Sequence, residues 1–171
     1  MGIAQMYIGS PQQVSPQASY YLGLGSWTII PLQCDYTTHG TWAWETDTAQ
    51  SCNGEFNNNA TSATLDYADW WTVLPATAIP VFYAVDIVTK TGPDRGILKF
   101  DMVVGGVQTT LFSHDLYSVG AVNNVVFRNL ISVAQADSGL QFIEIRTNTK
   151  NVASSAYKIG ISSLCIRPAG N

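Results

Sequence analysis

Indole side chains are the feature of this chain best suited to binding chemistry, because an exposed flat indole face stacks on sugar rings. Five tryptophans are many for 171 residues, and Trp70 and Trp71 are adjacent. Neighbouring side chains of a strand point to opposite faces, so one of this pair is expected to point outward. With a polar turn predicted at Asn57, Asn58 and Asn59, the pair forms a candidate glycan-binding site. We favour the simpler interpretation that the tryptophans fill the aromatic core of a β-sandwich.

Paired carboxylates are the second candidate chemistry, because glycoside hydrolysis needs two of them facing each other across a cleft. The candidate pairs are Glu45 with Asp47 and Asp66 with Asp69. A chain with twelve acidic residues contains such pairs by chance, and no feature of the sequence marks either pair as buried. We therefore expect no catalytic residue and no enzymatic activity.

Neither a nucleophilic triad nor a metal site is expected. Ser113, His114 and Asp115 are adjacent, so strand alternation sends them to opposite faces, and we interpret His114 as a hydrogen-bonded structural residue. The sequence has no nucleophile elbow and no phosphate-binding glycine loop. Its cysteines and histidines are Cys34, Cys52, Cys165, His39 and His114. They lack the close spacing of a zinc site, so we expect reduced, buried cysteines and no cofactor.

The composition indicates an all-β fold without a nucleic-acid partner. Charged residues make up 12% of the chain, about half of the fraction in ordinary soluble proteins. The other polar residues are mainly Thr, Ser, Asn and Gln, which favour strands and turns over helices. The net charge is -4, and the eight basic residues form no run, whereas phosphate binding needs a concentrated basic face. No apolar run approaches the roughly 20 residues of a membrane helix, so no membrane insertion is expected.

Strand-like runs separated by turn signals fill the chain from about residue 37 onward, at the spacing of an antiparallel β-sandwich. The hydrophobic period is 2: Leu98, Phe100 and Met102 point one way, and Lys99 and Asp101 point the other. Strands are predicted over residues 41–46, 63–67, 70–74, 81–89, 97–104, 109–113, 125–133, 142–147 and 159–167. The turn signals between them include residues 57–59, 92–96 and 105–106.

Residues 1–36 are predicted to form an extended N-terminal arm attached to one sandwich domain, residues 37–171. Proline and glycine at the density found here disfavour both helix and central strand. The arm is too apolar for a free tail, so we expect it to dock on its own domain, a sister subunit or another protein. The residues expected to make this contact are Ile3, Met6, Tyr7, Ile8, Tyr20, Tyr21 and Trp27.

Three segments, taken in order, resemble a known domain. They are the turn GPDRG at residues 92–96 with its flanking strands, DLYS at residues 115–118, and KNVASSAY at residues 150–157. The trio resembles a jelly-roll domain of tail-fibre, spike and head-decoration proteins of tailed bacteriophages, which is similar in outline to carbohydrate-binding modules. The match covers about residues 40–170.

This resemblance implies a jelly-roll virion component, commonly a homotrimer, whose N-terminal segment attaches it to a major capsid protein or another virion protein. It implies assembly in the host cytoplasm and localisation in the virion. Related sandwiches often carry calcium, for which Asp94 and Asp115 are candidate ligands, although no EF-hand-like ligand series is present. The alternative function is a carbohydrate- or receptor-binding module of a phage tail fibre that binds a host surface glycan.

Overall fold

The computed structural model describes residues 27–29, 36–63, 65–74, 81–133 and 139–169. Within these residues the chain forms twelve strands and a short 3-10 turn, Ser51–Asn53. The strands are β1 Trp27–Ile29, β2 Tyr36–His39, β3 Trp42–Thr46, β4 Gly54–Asn58, β5 Asp66–Leu74, β6 Val81–Thr91, β7 Ile97–Val104, β8 Val107–Asp115, β9 Val122–Val133, β10 Gly139–Thr147, β11 Ile159–Ile161 and β12 Ser163–Pro168. The pairings between these strands are antiparallel.

Three sheets make up the sandwich. Sheet A has five strands in the order β2-β5-β10-β7-β8, and sheet B has four in the order β1-β12-β6-β9. Sheet C has three strands in the order β11-β4-β3. Most of these neighbours are far apart in the chain, so the sheets bring distant segments together. The predicted all-β class, an antiparallel β-sandwich, is confirmed.

The hydrophobic core lies between sheets A and B, because a period of 2 sends every second side chain of each strand inward. In β7, Leu98 and Phe100 are buried, while Lys99 on the opposite face is half-buried. Sheet C contributes Phe56 to the same core. The largest fully buried side chains are Trp70, Phe56, Phe100, Ile87, Leu98, Leu116, Ile143, Ile145, Ile159 and Ile161.

The structure contains strands that the sequence pattern does not predict, namely β1, β2 and β4. β4 occupies the turn predicted at Asn57 and Asn58, so that prediction is wrong. Both residues are in a strand because β4 pairs with β3 on one side and β11 on the other, and tertiary pairing overrides the low strand propensity of asparagine. The strands predicted at residues 63–67 and 70–74 are the single strand β5, and the predicted last strand is interrupted at Ser162.

The turn predicted at Gly105 and Gly106 is confirmed. These residues form the two-residue connection of the β7–β8 hairpin, with φ angles of 55° and 81°. Such angles are accessible to glycine without steric cost, and a two-residue turn with positive φ matches the twist of the strands that it joins. The pair therefore fixes the register of β8 against β7.

The N-terminal arm is described at Trp27–Ile29 and Tyr36. Trp27–Ile29 is β1, which pairs with residues 164–166 of β12, so this part of the arm belongs to sheet B. The other arm residues expected to make contacts lie outside the described residues, as does the side chain of Trp27. They are Ile3, Met6, Tyr7, Ile8, Tyr20 and Tyr21. A search of the described residues finds no helix of the length and apolarity needed to cross a membrane.

Candidate functional site

Trp70 and Trp71 do not form the predicted exposed platform as far as the structure describes them. Trp70 is 1% exposed and packs edge-on against Phe56, with ring centroids 6.2 Å apart. Its indole has no face turned to solvent, because β5 directs it into the core. A glycan-binding role through an exposed Trp70 is therefore wrong, and the aromatic-core interpretation is confirmed for this residue. The side chain of Trp71 lies outside the described residues.

The asparagines of the predicted glycan site have structural roles. Asn57 and Asn58 are fully buried, because β4 lies in the middle of sheet C. The Asn57 amide donates to Glu45 Oε2 at 2.6 Å, and the Asn58 amide donates to Asp66 Oδ2 at 2.8 Å. Neither is available to a glycan on the surface, and Asn59 is the exposed member of the three.

The two predicted carboxylate pairs are not assembled. Glu45 and Asp47 each form an ion pair with a different lysine, at 2.7 Å and 2.9 Å. Hydrogen bonding to those lysines lowers the pKa of both carboxyl groups. Asp66 and Asp69 are three residues apart in β5, so alternation places them on opposite faces of sheet A. Asp66 and Asp69 therefore cannot act together on one glycosidic bond.

His114 has the structural role that was expected of it. One ring nitrogen, Nε2, lies 2.9 Å from Asn129 Oδ1, and the ring stacks on Phe127 with centroids 4.1 Å apart. The contact joins β8 to β9 at the side of the sandwich. Since His114 is held in this way, it forms no triad with Ser113 and Asp115.

The cysteines partly depart from the expectation of buried thiols. Cys52 is exposed, because it lies in the 3-10 turn Ser51–Asn53 at the surface, so that expectation is wrong for Cys52. Cys165 is half-buried, and neither of these two cysteines forms a disulfide. Cys34 lies outside the described residues. Among the residues described, no group of three or more His, Cys, Asp and Glu side chains is placed to hold a metal ion.

The three segments that carry the resemblance meet at one end of the sandwich. The GPDRG turn exchanges backbone hydrogen bonds with both other segments, at 2.8 to 3.1 Å. Asp115 accepts one hydrogen bond from the Tyr117 N–H at 2.9 Å and one from the Asn151 amide at 2.6 Å. These polar groups bond to one another, so the three segments hold each other in place. We call this end of the sandwich the loop end.

A different set of polar residues lies on the outer face of sheet A, which points away from the core. Asp69, Glu144 and Asp101 are directly opposite one another on the adjacent strands β5, β10 and β7. Thr37 on β2 and Thr110 on β8 continue the line. We call these five residues the acid row. Asp101 is 0% exposed and Glu144 is 5% exposed, whereas the two threonines at the ends are exposed.

Two carboxyl groups of the acid row accept hydrogen bonds from neighbouring side chains. Arg146 Nε donates to Asp101 Oδ2, and the Gln108 amide donates to Glu144 Oε1. The Oδ1 atoms of Asp69 and Asp101 are buried and make no hydrogen bond within the described residues. A buried acceptor without a partner costs stability, so the two aspartates are incompletely satisfied within the described residues.

Glu144 is a carboxyl group whose environment favours its protonated form. Burial, followed by the negative charge of Asp69, raises the pKa of Glu144 to about 8. Burial also raises the pKa of Asp69. At neutral pH the Glu144 carboxyl group is therefore largely uncharged.

This shift makes folding stability depend on pH. In the unfolded chain Glu144 has its ordinary pKa of 4.5, whereas in the folded protein its pKa is about 8. The folded state binds more protons between these values, so the free energy of unfolding should fall as pH rises through this window, by at most about 1.4 kcal/mol per pH unit. Urea unfolding at several pH values measures it. Glu144→Gln should flatten the decline, and an unchanged slope in that variant would contradict the assignment.

A stacked pair of rings lies beside the acid row. His39 on β2 and Tyr67 on β5 are opposite each other, with ring centroids 5.3 Å apart and planes at 14°. Arg146 and Lys99 continue this second line on β10 and β7. The rings are two residues along their strands from Thr37 and Asp69, so they occupy the same outer face. The exposed ring of His39 and the half-buried ring of Tyr67 therefore adjoin the carboxyl groups.

The comparisons with known proteins concern the fold. No protein-family model matches the chain, and no curated protein matches it in sequence. Among solved structures, it is similar to Paenibacillus xanthan lyase, with a TM-score of 0.53 and 18% identity over 78% of this chain. This chain spans 12% of the lyase. It is also similar to the carbohydrate-binding module CBM6cm-2 of Cellvibrio mixtus lichenase 5A, with a TM-score of 0.50 and 12% identity.

That second match covers 86% of this chain and 100% of the module. A family 35 carbohydrate-binding module from Clostridium thermocellum matches with a TM-score of 0.47 and 16% identity, over 81% of this chain and 96% of the module. The fold is similar to that of carbohydrate-binding modules. The predicted jelly-roll sandwich is thus confirmed, together with the similarity in outline to these modules. The bacteriophage part of the resemblance stays a prediction.

Proposed function

We propose that this protein is a non-catalytic carbohydrate-binding module whose binding site is the outer face of sheet A. The observation that carries the proposal is the acid row lying beside the stacked rings of His39 and Tyr67. The fold supports it, because the similar module from Cellvibrio mixtus lichenase 5A was solved in complex with cellotriose. The alternative function drawn from the sequence, glycan binding, is therefore preferred to virion decoration.

The chemistry of this face matches that of a sugar. A sugar hydroxyl both donates and accepts a hydrogen bond, and the face offers carboxylate acceptors beside the donors of Arg146 and Gln108. Hydrogen bonds to charged groups are about twice as strong as neutral ones. The rings of His39 and Tyr67 provide an apolar surface for the C–H groups of a sugar ring.

A binding role fits the acid row better than hydrolysis does. Glycosidases hold their two carboxyl groups about 5 to 9.5 Å apart, with the scissile bond between them. Asp69 and Glu144 instead lie directly opposite each other on adjacent strands of one sheet, so they do not face each other across a cleft. We therefore keep the proposal that the protein is not an enzyme.

Affinity electrophoresis against neutral, anionic and cationic soluble polysaccharides, followed by calorimetry with the best ligand, tests this function. We expect binding to at least one glycan, and Tyr67→Ala should weaken it by about tenfold or more, equal to about 1.4 kcal/mol. The loss follows from removing the ring on which the sugar packs.

Tyr117→Ala is the matched control, because Tyr117 is another half-buried tyrosine but lies at the loop end. It should leave the affinity within about twofold of wild type, provided that circular dichroism shows both variants folded. Absence of binding to every glycan, or equal losses in the two variants, would refute the proposal.

The virion role suggested by the resemblance remains a second, weaker proposal. It concerns attachment through residues 1–36, homotrimer formation and a capsid partner. It also concerns localisation in the virion.

A further inference from the structure

We propose that the outer face of sheet B is a docking surface for the N-terminal arm of the same molecule, with segment 20–22 packed against Phe82 and Leu130. The sequence of that segment is Tyr-Tyr-Leu. This inference is independent of glycan binding, because sheet B lies on the opposite side of the core from the proposed glycan site.

The outer face of sheet B carries apolar side chains that reach solvent. Leu130 on β9 is 63% exposed, and Phe82 on β6 is 42% exposed. Both point away from the core, because their neighbours Tyr83 and Ile131 are buried in it. Phe82 pairs with Ser132, so it lies diagonally across from Leu130, within reach of a large side chain. The two side chains therefore form one apolar patch that spans β6 and β9.

The register of sheet B brings the start of β1 to the end of the sheet that holds this patch. Trp27, the first residue of β1, is aligned with Ile166 on β12. Since the two strands are antiparallel, the chain enters β1 from the side of the row that follows Ile166. That row runs through Arg167, Ala84 and Leu130. The arm therefore joins sheet B beside the row that contains Leu130.

The distance from β1 to the patch is short for the length of chain that precedes β1. β12 and β6 lie between β1 and β9, so three strand spacings, or about 14 Å, separate β1 from β9. An extended chain covers about 3.3 Å per residue, so about five residues cross this distance. Leu22 is five residues before Trp27 in the sequence, and Tyr20 is seven residues before it. Segment 20–22 is therefore within reach of β6 and β9.

The charges of the arm and of the two outer faces favour sheet B as the docking surface. Residues 1–26 contain no Asp, Glu, Lys, Arg or His, so they can be buried without removing an ion from water. The outer face of sheet A carries the acid row and Arg146, and covering these charges with an uncharged segment costs free energy. On sheet B, Asp86 is paired with Arg167 at 2.6 Å, and Arg128 on the outermost strand is exposed. An uncharged, apolar segment therefore fits the patch on sheet B better than the outer face of sheet A.

Limited proteolysis of the full chain tests the docking. Chymotrypsin cleaves after Tyr and Leu in segments that have left their surface, so the rate of cleavage within segment 20–22 reports the undocked population. Leu130→Asp places a charge in the patch and should raise this rate by about tenfold or more. Val152→Asp is the matched control, because Val152 is 99% exposed at the loop end, and it should stay within about twofold of wild type. Equal rates in the two variants overturn the proposal.

Photocross-linking identifies the occupant while keeping an aromatic ring in the patch, and so does not depend on the stability of Leu130→Asp. A benzophenone-bearing phenylalanine in place of Phe82 should cross-link to residues 1–26, and one in place of Tyr117 at the loop end should not. The product should keep the mass of one chain, 18.5 kDa, on a denaturing gel. A product of twice that mass joined through the arm shows that a second copy supplies the segment, and it overturns the proposal. Absence of any link to the arm, which leaves the arm to another partner, overturns it as well.

Discussion

Replacing Arg95 by alanine should lower the free energy of unfolding by about 3–5 kcal/mol, because it leaves a buried carboxylate without its partner. Arg95 Nη2 donates to Glu55 Oε1 at 2.5 Å, and both side chains are 3% exposed. Asp94, 3.8 Å from Arg95 Nε, is far more exposed and cannot replace this contact. The pair ties the GPDRG turn to β4 of sheet C, so its loss should also loosen the loop end. Urea unfolding followed by tryptophan fluorescence measures the change.

A double-mutant cycle gives the control. Three atoms of the pair, Arg95 Nε, Arg95 Nη1 and Glu55 Oε2, make no hydrogen bond within the described residues. The ion pair is therefore imperfectly satisfied even in the native state. Arg95→Met and Glu55→Met each leave one buried charge unpaired, whereas the double variant with both methionines removes both charges, and we expect it to be close to wild type in stability. Additive losses in the double variant would show that packing, and not an unpaired charge, sets the cost. A loss below about 1 kcal/mol in Arg95→Ala would contradict the burial of the pair.

The strands that could be predicted from the sequence are those whose signal is local. In β7 the alternation of Leu98, Lys99, Phe100 and Asp101 assigns an inner and an outer face within four residues, and the structure agrees. β4 carries no such signal, because its polar residues are buried by their partners. Asn57 lies in a strand because β4 pairs with β3 and with β11, and β11 comes about a hundred residues later in the chain. The strand propensity of a residue cannot predict such a contact.

The acid row was predictable in its parts but not as a whole. Alternation places Asp101 on the outer face of β7, and the same reasoning applied to β5 and β10 gives outer positions for Asp69 and Glu144. What the sequence lacks is the strand order β5-β10-β7, which brings the three carboxyl groups into one line. Register is set by non-local pairing and by which face is buried. Acids that are close together in the sequence, such as Glu45 and Asp47, are easily noticed, whereas the acids that meet in the fold are far apart in the chain.

Trp70→Ala should lower the free energy of unfolding by about 3–5 kcal/mol, as expected for removal of a buried aromatic side chain. Trp70 is 1% exposed and packs against Phe56 in the core shared by the sheets. The cavity left by the indole would lie between β4 and β5, with little freedom to collapse because both strands are hydrogen bonded on two sides. Thermal and urea unfolding of the variant measure the loss.

The conservative variant Trp70→Phe separates a core role from a sugar-binding role. Phenylalanine retains most of the buried apolar area, so the stability loss should be smaller than in Trp70→Ala. A folded Trp70→Phe protein should bind glycans as wild type does, because the indole does not reach the outer face of sheet A. Loss of binding in this variant at unchanged stability would contradict the core assignment. Tyr67→Ala should show the opposite result, with glycan binding lost and the core unchanged. This contrast is expected if the glycan binds on the face of β5 that points to solvent.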